Sequence, residues 1–522
     1  MSNWRPGAIA VSRRDALATM VGAGFVVMVA GAGAAQAEAS AQTPKQGGRI
    51  RVASLSSSTA DTLDPAKGAL STDYVRHYMF YNGLTQYDGR LQPKPALAES
   101  IDTNDRTVWF VKLRKGVIFH DGAPLTARDV AYSLLRHKIP AVGSKAVSVA
   151  VQFKDVKAIS PLELQIRLTG PNTDLPSILA ASHFLVIKDG TTDFETAIGT
   201  GPYTCKEFRP GIRTVGARNT NYWKPGQPHL DEIELIGIPD EVSRVNALLS
   251  GDVQLINWSD PRSIRRMRSS PRVEVQEIQS GLYTDLVMRQ DVEPTNDPNF
   301  VMAMKYLFDR DLIRKAVFLG FSTLANDHPI PPTNPYYLAD IPQRVYDPDR
   351  AKYLLNKAGL LDVRLPIYAS PAAEESVDIA SVLQESAAKI GFKLAVNRVP
   401  PDGYWSTHWM KHPLTFGNSN PRPTADLIFS QLYKSDAPWN ESGWKNEQFD
   451  QLLLAARGEA DEAKRKQMYG DMQVLVHDHC GVGIPVFMHL MDAYDQRLKG
   501  YVSNPLGCFM GYMFSEYVWL DG

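Results

Sequence analysis

The run from Val363 to Val399 is the strongest constraint on how this chain can fold. It reads "VRLPIYAS", then "EESVDIASVLQESAAKIG", then "FKLAVNRV", which is strand, helix, strand. Parallel strands need a long crossover between them, and a helix of this length supplies one, so the segment commits this part of the chain to a parallel sheet. The same alternation begins near residue 230. "PDEVSRVNALLSGDVQLIN" reads as a helix stopped by Gly251 and followed by a short strand. "YDPDRAKYLLNKAG" has Asp347 as cap, Pro348 at the first helical position and Gly359 as stop.

The grain before residue 190 is different. "RIRVAS" alternates as a strand, and Ser71 to Gly83 reads as a helix with Val75, Tyr78, Met79 and Asn82 on one side and a glycine stop. Asp88-Gly89 predicts a two-residue hairpin turn. "TVWFVKLRKG" puts Trp109, Val111 and Leu113 on one strand face, and Thr126 with Asp129 forms a Thr-x-x-Asp helix cap. "VKAISPLELQIRLTG" reads as a further hairpin, which makes residues 84–190 a hairpin-rich unit of their own. With 522 residues, far more than one core usually holds, the economical architecture is two α/β lobes with that unit inserted.

The amino terminus is set apart from the fold. Arg13 and Arg14 form a charged start, Ala16 to Ala35 is uncharged and rich in Ala, Gly and Val, and Ala35-Gln36-Ala37 is a small-x-small cleavage site. Ser12-Arg13-Arg14 with Leu17 resembles a twin-arginine export signal, although Ala16 and Ala18 depart from that pattern and leave the general secretory route open. Removing residues 1–37 takes away three arginines and one aspartate, so the formal charge of −1 becomes −3. The expected mature protein is mildly acidic, exported, cleaved after Ala37 and periplasmic, and it offers no basic surface for nucleic acid.

Enzyme chemistry leaves no mark in the sequence. It contains no Gly-x-Ser-x-Gly elbow, phosphate-binding glycine loop, His-Glu-x-x-His or Cys-x-x-Cys. His477, His479 and Cys480 spread around a helix instead of converging, and His408 with His412 lacks a third ligand, so neither metal nor cofactor is expected. Three cysteines, Cys205, Cys480 and Cys508, permit at most one disulfide and read better as three buried thiols.

A series of segments resembles the large extracytoplasmic solute-binding proteins of the dipeptide, oligopeptide and nickel transporter family, family 5. They are "TLDP" at 62–65, "YNGLTQYD" at 81–88, "PALAES" at 95–100 and the long "FVKLRKGVIFHDGAPLTARDVAYSLLR" at 110–136. "IGTGPY" at 198–203, "NYW" at 221–223, "MKYLFDRDLIRKAVFLG" at 304–320, "YDPDRAKYLLNKAG", "NEQFDQLLLAAR" at 446–457 and "IPVF" at 484–487 continue in the family's order. The resemblance implies an α/β, two-lobed type II periplasmic-binding-protein fold with an additional inserted domain. The implied division is a signal (1–37), a leader (38–48), lobe I (49–83, 191–285 and 485–522), the insert (84–190) and lobe II (286–484). It also implies a monomer that closes on a ligand, docks on ABC permease subunits in the membrane and leaves ATP hydrolysis to a separate subunit.

In peptide-binding members, the resemblance places an Asp-Tyr motif for the peptide's α-ammonium just before the "NEQFD" helix. Here that region is "FGNSNPRPTADLIFSQLYKSDAPWNESGW", which has no Asp-Tyr; Asn418, Ser419 and Asn420 stand near the acid's place, and Asp426 or Asp436 could replace it from a shifted position. Arg422 adds a fixed cation suited to a carboxylate. Tyr283, Trp405, Trp439 and Asn440 complete the expected ligand set. The implied ligand is a short peptide or peptide-like amino-acid derivative. The alternatives are an opine, a metal chelate or a sugar derivative, and more remotely a hydrolase.

Overall fold

The computed structural model describes residues 43–522 except Ser57, Trp258 and Pro438; the export signal expected at 1–37 lies outside the described residues. Pro44–Gly522 forms one unit. Four strands organise it: β1 (Arg49–Ser54), β2 (Val273–Met288), β3 (Leu414–Ser419) and β4 (Val486–Asp495). The main sheet runs Lys393–Arg398, Arg364–Ala369, β3, β2, β4, Leu255–Ile256, β1, Glu232–Gly237, Arg213–Arg218, Tyr203–Arg209. The fold is the expected α/β type. Arg364–Ala369 and Lys393–Arg398 pair in parallel across the helix Ser376–Lys389, as the strand–helix–strand reading requires.

β2 belongs to both ends of this sheet. Residues Val273–Leu282 pair with β4, and Tyr283–Met288 pair with β3, with a bulge between Gln279 and Leu282 where the partner changes. Ser280 stabilises the bulge, since its Oγ donates to the Met488 carbonyl at 2.9 Å and accepts from the Leu282 amide at 3.1 Å. Gly281 lies so close to the Pro331 ring that a Cβ there would sit 3.1 Å from its Cγ. Such a bulge adds local twist and re-aims the strand.

Residues 98–168 carry a four-stranded antiparallel sheet of their own, ordered Ala98–Thr103, Val108–Leu113, Glu163–Leu168, Phe153–Ser160, over a separate apolar core that includes Trp109, Val111, Leu113, Val130 and Ile166. The Thr126–Asp129 capping box forms. Arg136, just past that helix, makes two bonds of 2.7 and 2.9 Å to the carboxylate of Asp64 in "TLDP". That buried pair ties this segment to the loop that follows β1.

Two local expectations fail. The helix from Ser71 ends at Phe80, and Gly83 does not terminate it. Gly83 is needed instead for close approach, because a Cβ there would lie 2.7 and 2.8 Å from the carbonyls of Thr85 and Leu179. Asp88-Gly89 is not a two-residue turn either. The strands Thr85–Tyr87 and Pro93–Pro95 are separated by a longer loop in which the Asp88 carboxylate accepts from the amides of Arg90 and Gln92.

A buried charge hub holds the β2–β4 end. Asp327 accepts two 2.7 Å bonds from Arg310, pairs with Arg344 and accepts from the Ile484 amide at 3.1 Å. The guanidinium groups hold its carboxyl far below the usual range despite burial. Asp327→Ala would leave two buried cations uncompensated. The expected loss is about 3–5 kcal/mol of unfolding free energy, measured by chemical denaturation.

Candidate functional site

Between the two ends of the main sheet lies a cavity of about 480 Å³, in the range of small-molecule sites. Leu282 of β2 and Met488 to Met491 of β4 line it. Glu241, Asp260 and Arg262 approach from the β1 side, and Glu374, Glu375 and Asp378 from the helix Ser376–Lys389 side. Arg262 reaches across, 3.1 Å from Asp260 and 3.7 Å from Asp378. Glu374 has no such partner among the described residues, and burial together with Glu375 pushes its carboxyl up to about 7. Glu375 sits at φ +57, a conformation that side chains other than glycine seldom adopt and that tends to mark functional sites.

Farther along, a narrow crevice runs between Gly281, Pro331, Asn334 and Arg422 on one side and Leu91 and Pro505 on the other. Arg422 is half-buried. Its Nε donates to Gln431 at 2.7 Å and its Nη1 to the Asn420 carbonyl at 3.0 Å, while Nη2 has no partner among the described residues. No carboxylate among the described residues pairs with it. Burial lowers its pKa, opposed by the phenols of Tyr74, Tyr283 and Tyr512, so the guanidinium stays charged. Tyr74 belongs to the helix Ser71–Phe80 and Tyr512 to the C-terminal segment, so residues far apart in sequence converge on this cation.

The other expected site residues scatter. Asn418 is half-buried and donates to Thr284 Oγ1 at 3.2 Å; the same hydroxyl donates to the Glu374 carbonyl at 2.6 Å, which ties β3 to the cavity rim. Ser419 is buried opposite Tyr283 in the β2–β3 ladder, and Asn420 is exposed. Tyr283 is fully buried with its hydroxyl 3.1 Å from that of Tyr433. Asp426 is engaged elsewhere, accepting from Arg457 Nε at 3.0 Å on the neighbouring helix Glu447–Gly458. Asp436 is an exposed partner of Lys434. Asn440 closes a turn by donating to the Trp444 carbonyl at 2.6 Å. Trp405 and Trp439 are 42% and 46% exposed, so neither is packed as a cleft wall in this conformation.

Among the described residues no group of three or more potential ligands could hold a metal. His408 and His412 lie 3.2 Å apart, stacked on Tyr368, without a third ligand. His477 bonds the Asn326 carbonyl and Cys480 contacts Ser442. Cys480 and Cys508 are buried as expected, whereas Cys205 is only half-buried.

A buried acid pair beneath β3 went unnoticed in the sequence. Asp285 and Glu441 both press on Gly417, where a Cβ would lie 2.8 Å from Asp285 Oδ1 and 2.2 Å from Glu441 Oε2. Glu441 accepts from Trp409 Nε1 at 2.6 Å, whereas neither oxygen of Asp285 has a partner. Burial and mutual repulsion raise Asp285 well above the carboxylate range, and burial pushes Glu441 up to about 7. The available signal was the acid in "LYTDLVM", an ionisable residue inside an otherwise apolar strand. Glu374 and Glu375 were missed for another reason, since acids before a helix are ordinary at its positive end.

The model of bacterial extracellular solute-binding proteins, family 5, matches residues 92–441. The chain belongs to that family. It is therefore an extracytoplasmic binding component of a transport system and not an enzyme. It is 27% identical over 474 residues to the dipeptide-binding protein of Escherichia coli (strain K12), covering 82% of this chain and 87% of that protein. It is 27% identical over 471 residues to heme-binding protein A of Haemophilus influenzae, covering 82% and 85%. Among solved structures, the periplasmic binding protein DppA from Helicobacter pylori, in complex with peptide STSA, superposes with a TM-score of 0.78 at 23% identity, covering 92% of this chain and 99% of that one. That likeness speaks to the two-lobed fold. No helix of the described residues is long and apolar enough to cross a membrane.

The acid pair makes stability depend on pH. Both carboxyls titrate higher in the folded chain than in the unfolded one, Glu441 at about 7, so as pH rises above the unfolded values near 4 the folded chain holds more protons. Stability contributed by the pair is therefore full at acid pH and falls as pH rises through that range. Thermal melts of Asp285→Asn are expected to show a flatter dependence from pH 5 to 8 and a melting temperature above wild type at pH 8.

Proposed function

We propose that the protein is the periplasmic solute-capturing component of an ABC importer whose ligand is a short peptide or peptide-like amino-acid derivative. The observation that carries this reading is Arg422, a guanidinium without an acid partner among the described residues, facing the phenols of Tyr74, Tyr283 and Tyr512 at a crevice that Gly281, Pro331 and Leu91 also line. Such a cation suits the carboxylate of a peptide or amino-acid derivative. The name of the Escherichia coli relative supports the peptide class. Lobe I (49–83, 191–285 and 485–522, carrying the insert 84–190) and lobe II (286–484) close by bending where β2 and β4 cross between them. A ligand touching both lobes favours the closed form, which docks as a monomer on the permease subunits. Export follows the Arg13-Arg14 signal, with cleavage after Ala37.

A second reading, capture of a non-peptide solute, draws on the absence of an acid at 418–420 and on the heme-binding relative. Calorimetry and thermal shift with di- to pentapeptides separate the two. Stabilisation by at least one peptide class is expected, and silence toward all of them beside a response to an opine or a metal chelate would sink the peptide reading.

Two substitutions separate binding from folding. Arg422→Ala is expected to weaken a bound peptide about 10- to 100-fold, the worth of a charge-assisted bond, with little change in the melting temperature of the free protein. Asp426→Ala, which orphans Arg457, should instead cost roughly 1–3 kcal/mol of stability.

A further inference from the structure

We infer that residues 171–174 form a clasp, which fastens onto the chain at 457–465 when the solute-binding cleft closes and lets go when it opens. The inference rests on the solute-capture reading above, in which 171–174 belongs to the insert and 457–465 to lobe II.

The two sides of this contact are built on different cores. Leu175, Ile178 and Leu179, directly after the segment, pack with Trp109 and Ile166, whereas Leu453, Ala456 and Tyr469 pack with Phe429 and Tyr283. What joins the two sides is polar. The Thr173 amide donates to the Arg457 carbonyl at 2.9 Å, and the Thr173 hydroxyl donates to the Glu459 carbonyl at 3.2 Å. Asp174 and Arg465, both buried, pair at 2.5 Å. Pro171 lies against Gly458, where a Cβ would sit 3.0 Å from the proline Cγ and 3.3 Å from its Cβ. A polar contact between separately cored bodies parts and re-forms far more readily than a shared apolar core.

Each side is shaped before the two meet. The Asn172 amide donates to the Arg106 carbonyl at 2.9 Å, its Nδ2 donates to Gln152 Oε1 at 2.7 Å, and its Oδ1 accepts from the Asp174 amide at 2.8 Å. The segment therefore holds its form through its own neighbours, and little order has to be gained on fastening. Asp174 stands just before the short helix Leu175–Ile178, where an aspartate ordinarily bonds the first helical amides, yet it makes no such bond. Its carboxylate goes to Arg465 instead. Thr173 meets the end of the helix Glu447–Gly458, where the last carbonyls lack partners within the helix. Water can serve those carbonyls once the contact parts, so release strands no backbone group. Arg465 is positioned from its own side as well, donating to the Ala456 carbonyl at 3.1 Å and the Tyr336 hydroxyl at 2.8 Å.

The test uses the exported chain carrying Pro171→Cys and Gly458→Cys, with Cys205→Ser to remove a half-buried thiol. The spacing of the two Cβ positions suits a disulfide. Melting temperatures of the reduced proteins check folding. Oxidation is expected to form the cross-link, read by mass spectrometry, and to lower the radius of gyration of the ligand-free protein in X-ray scattering; reductant should restore it. Adding Asp174→Asn should slow cross-linking about tenfold, the worth of one charge-assisted bond, and Asp174→Glu, which keeps the charge, should recover part of that rate. Failure to cross-link overturns the inference, because the surfaces then never meet. Identical scattering before and after oxidation overturns it as well, because the surfaces then never part, and so does an undiminished rate in Asp174→Asn. Tri-alanine separates the clasp from the reading beneath it: the oxidised protein should exchange this peptide far more slowly than the reduced one. If the reduced protein binds no tri-alanine, capture of that peptide fails while scattering and cross-linking rate still decide the clasp.

Discussion

The structure depends on a single strand serving two partners. β2 is hydrogen-bonded to β4 along its first half and to β3 along its second. Every group on the β3 side, including Gly417, Asn418 and the loop to Arg422, is therefore placed by the same backbone whose Leu282 lines the cavity. The switch occurs at the Ser280–Gly281 bulge, where Ser280 supplies bonds that the ladder has lost. A bulge is a place where a strand can change direction without losing its partners. The two halves of the sheet can thus be rigid and still be joined.

Charge is distributed in a pattern that follows from this. Away from the cleft, buried ions are paired: Asp327 with two arginines, Asp64 with Arg136, Arg76 with Asp61 and Asp73, Asp426 with Arg457. Such pairs need fixed geometry to offset their desolvation, and they sit where elements must not slide. The Asp285–Glu441 pair solves the same problem by protonation, because like charges pressed on Gly417 cannot both ionise cheaply. Gly417 is required for that contact, since any side chain would displace one carboxyl.

Much of the fold is legible in the sequence because its signals are local. The caps at Thr126 and Asp347 and the left-handed stops at Gly251 and Gly359 act over a few residues, and all form. Gly83 and Asp88-Gly89 carried the right residue types for a stop and a tight turn, but tertiary approach and Asx bonding decided their geometry. The site is harder to read. Arg422 stands out as the one cation in a neutral loop, whereas Asp426 looks equally available in sequence and is taken by Arg457, thirty-one residues away. Glu374 is silent in sequence because what matters about it, its place in a cavity wall without a partner among the described residues, exists only in the folded chain.

The contrast between paired and unpaired charge bears on how closure is controlled. On the proposed closure, an empty cleft would move Arg422, which pairs with no carboxylate among the described residues, toward lower dielectric without a counter-charge, and that cost opposes closure. A ligand carrying a carboxylate removes that penalty and adds a charge-assisted bond, so its affinity differs most between open and closed forms. Only that difference can shift a conformational equilibrium. A solute without a carboxylate leaves the guanidinium buried alone, which makes discrimination a property of closure as much as of contact. Selection for a carboxylate then follows from a guanidinium left without an acid, in a protein that sets Asp327 between Arg310 and Arg344.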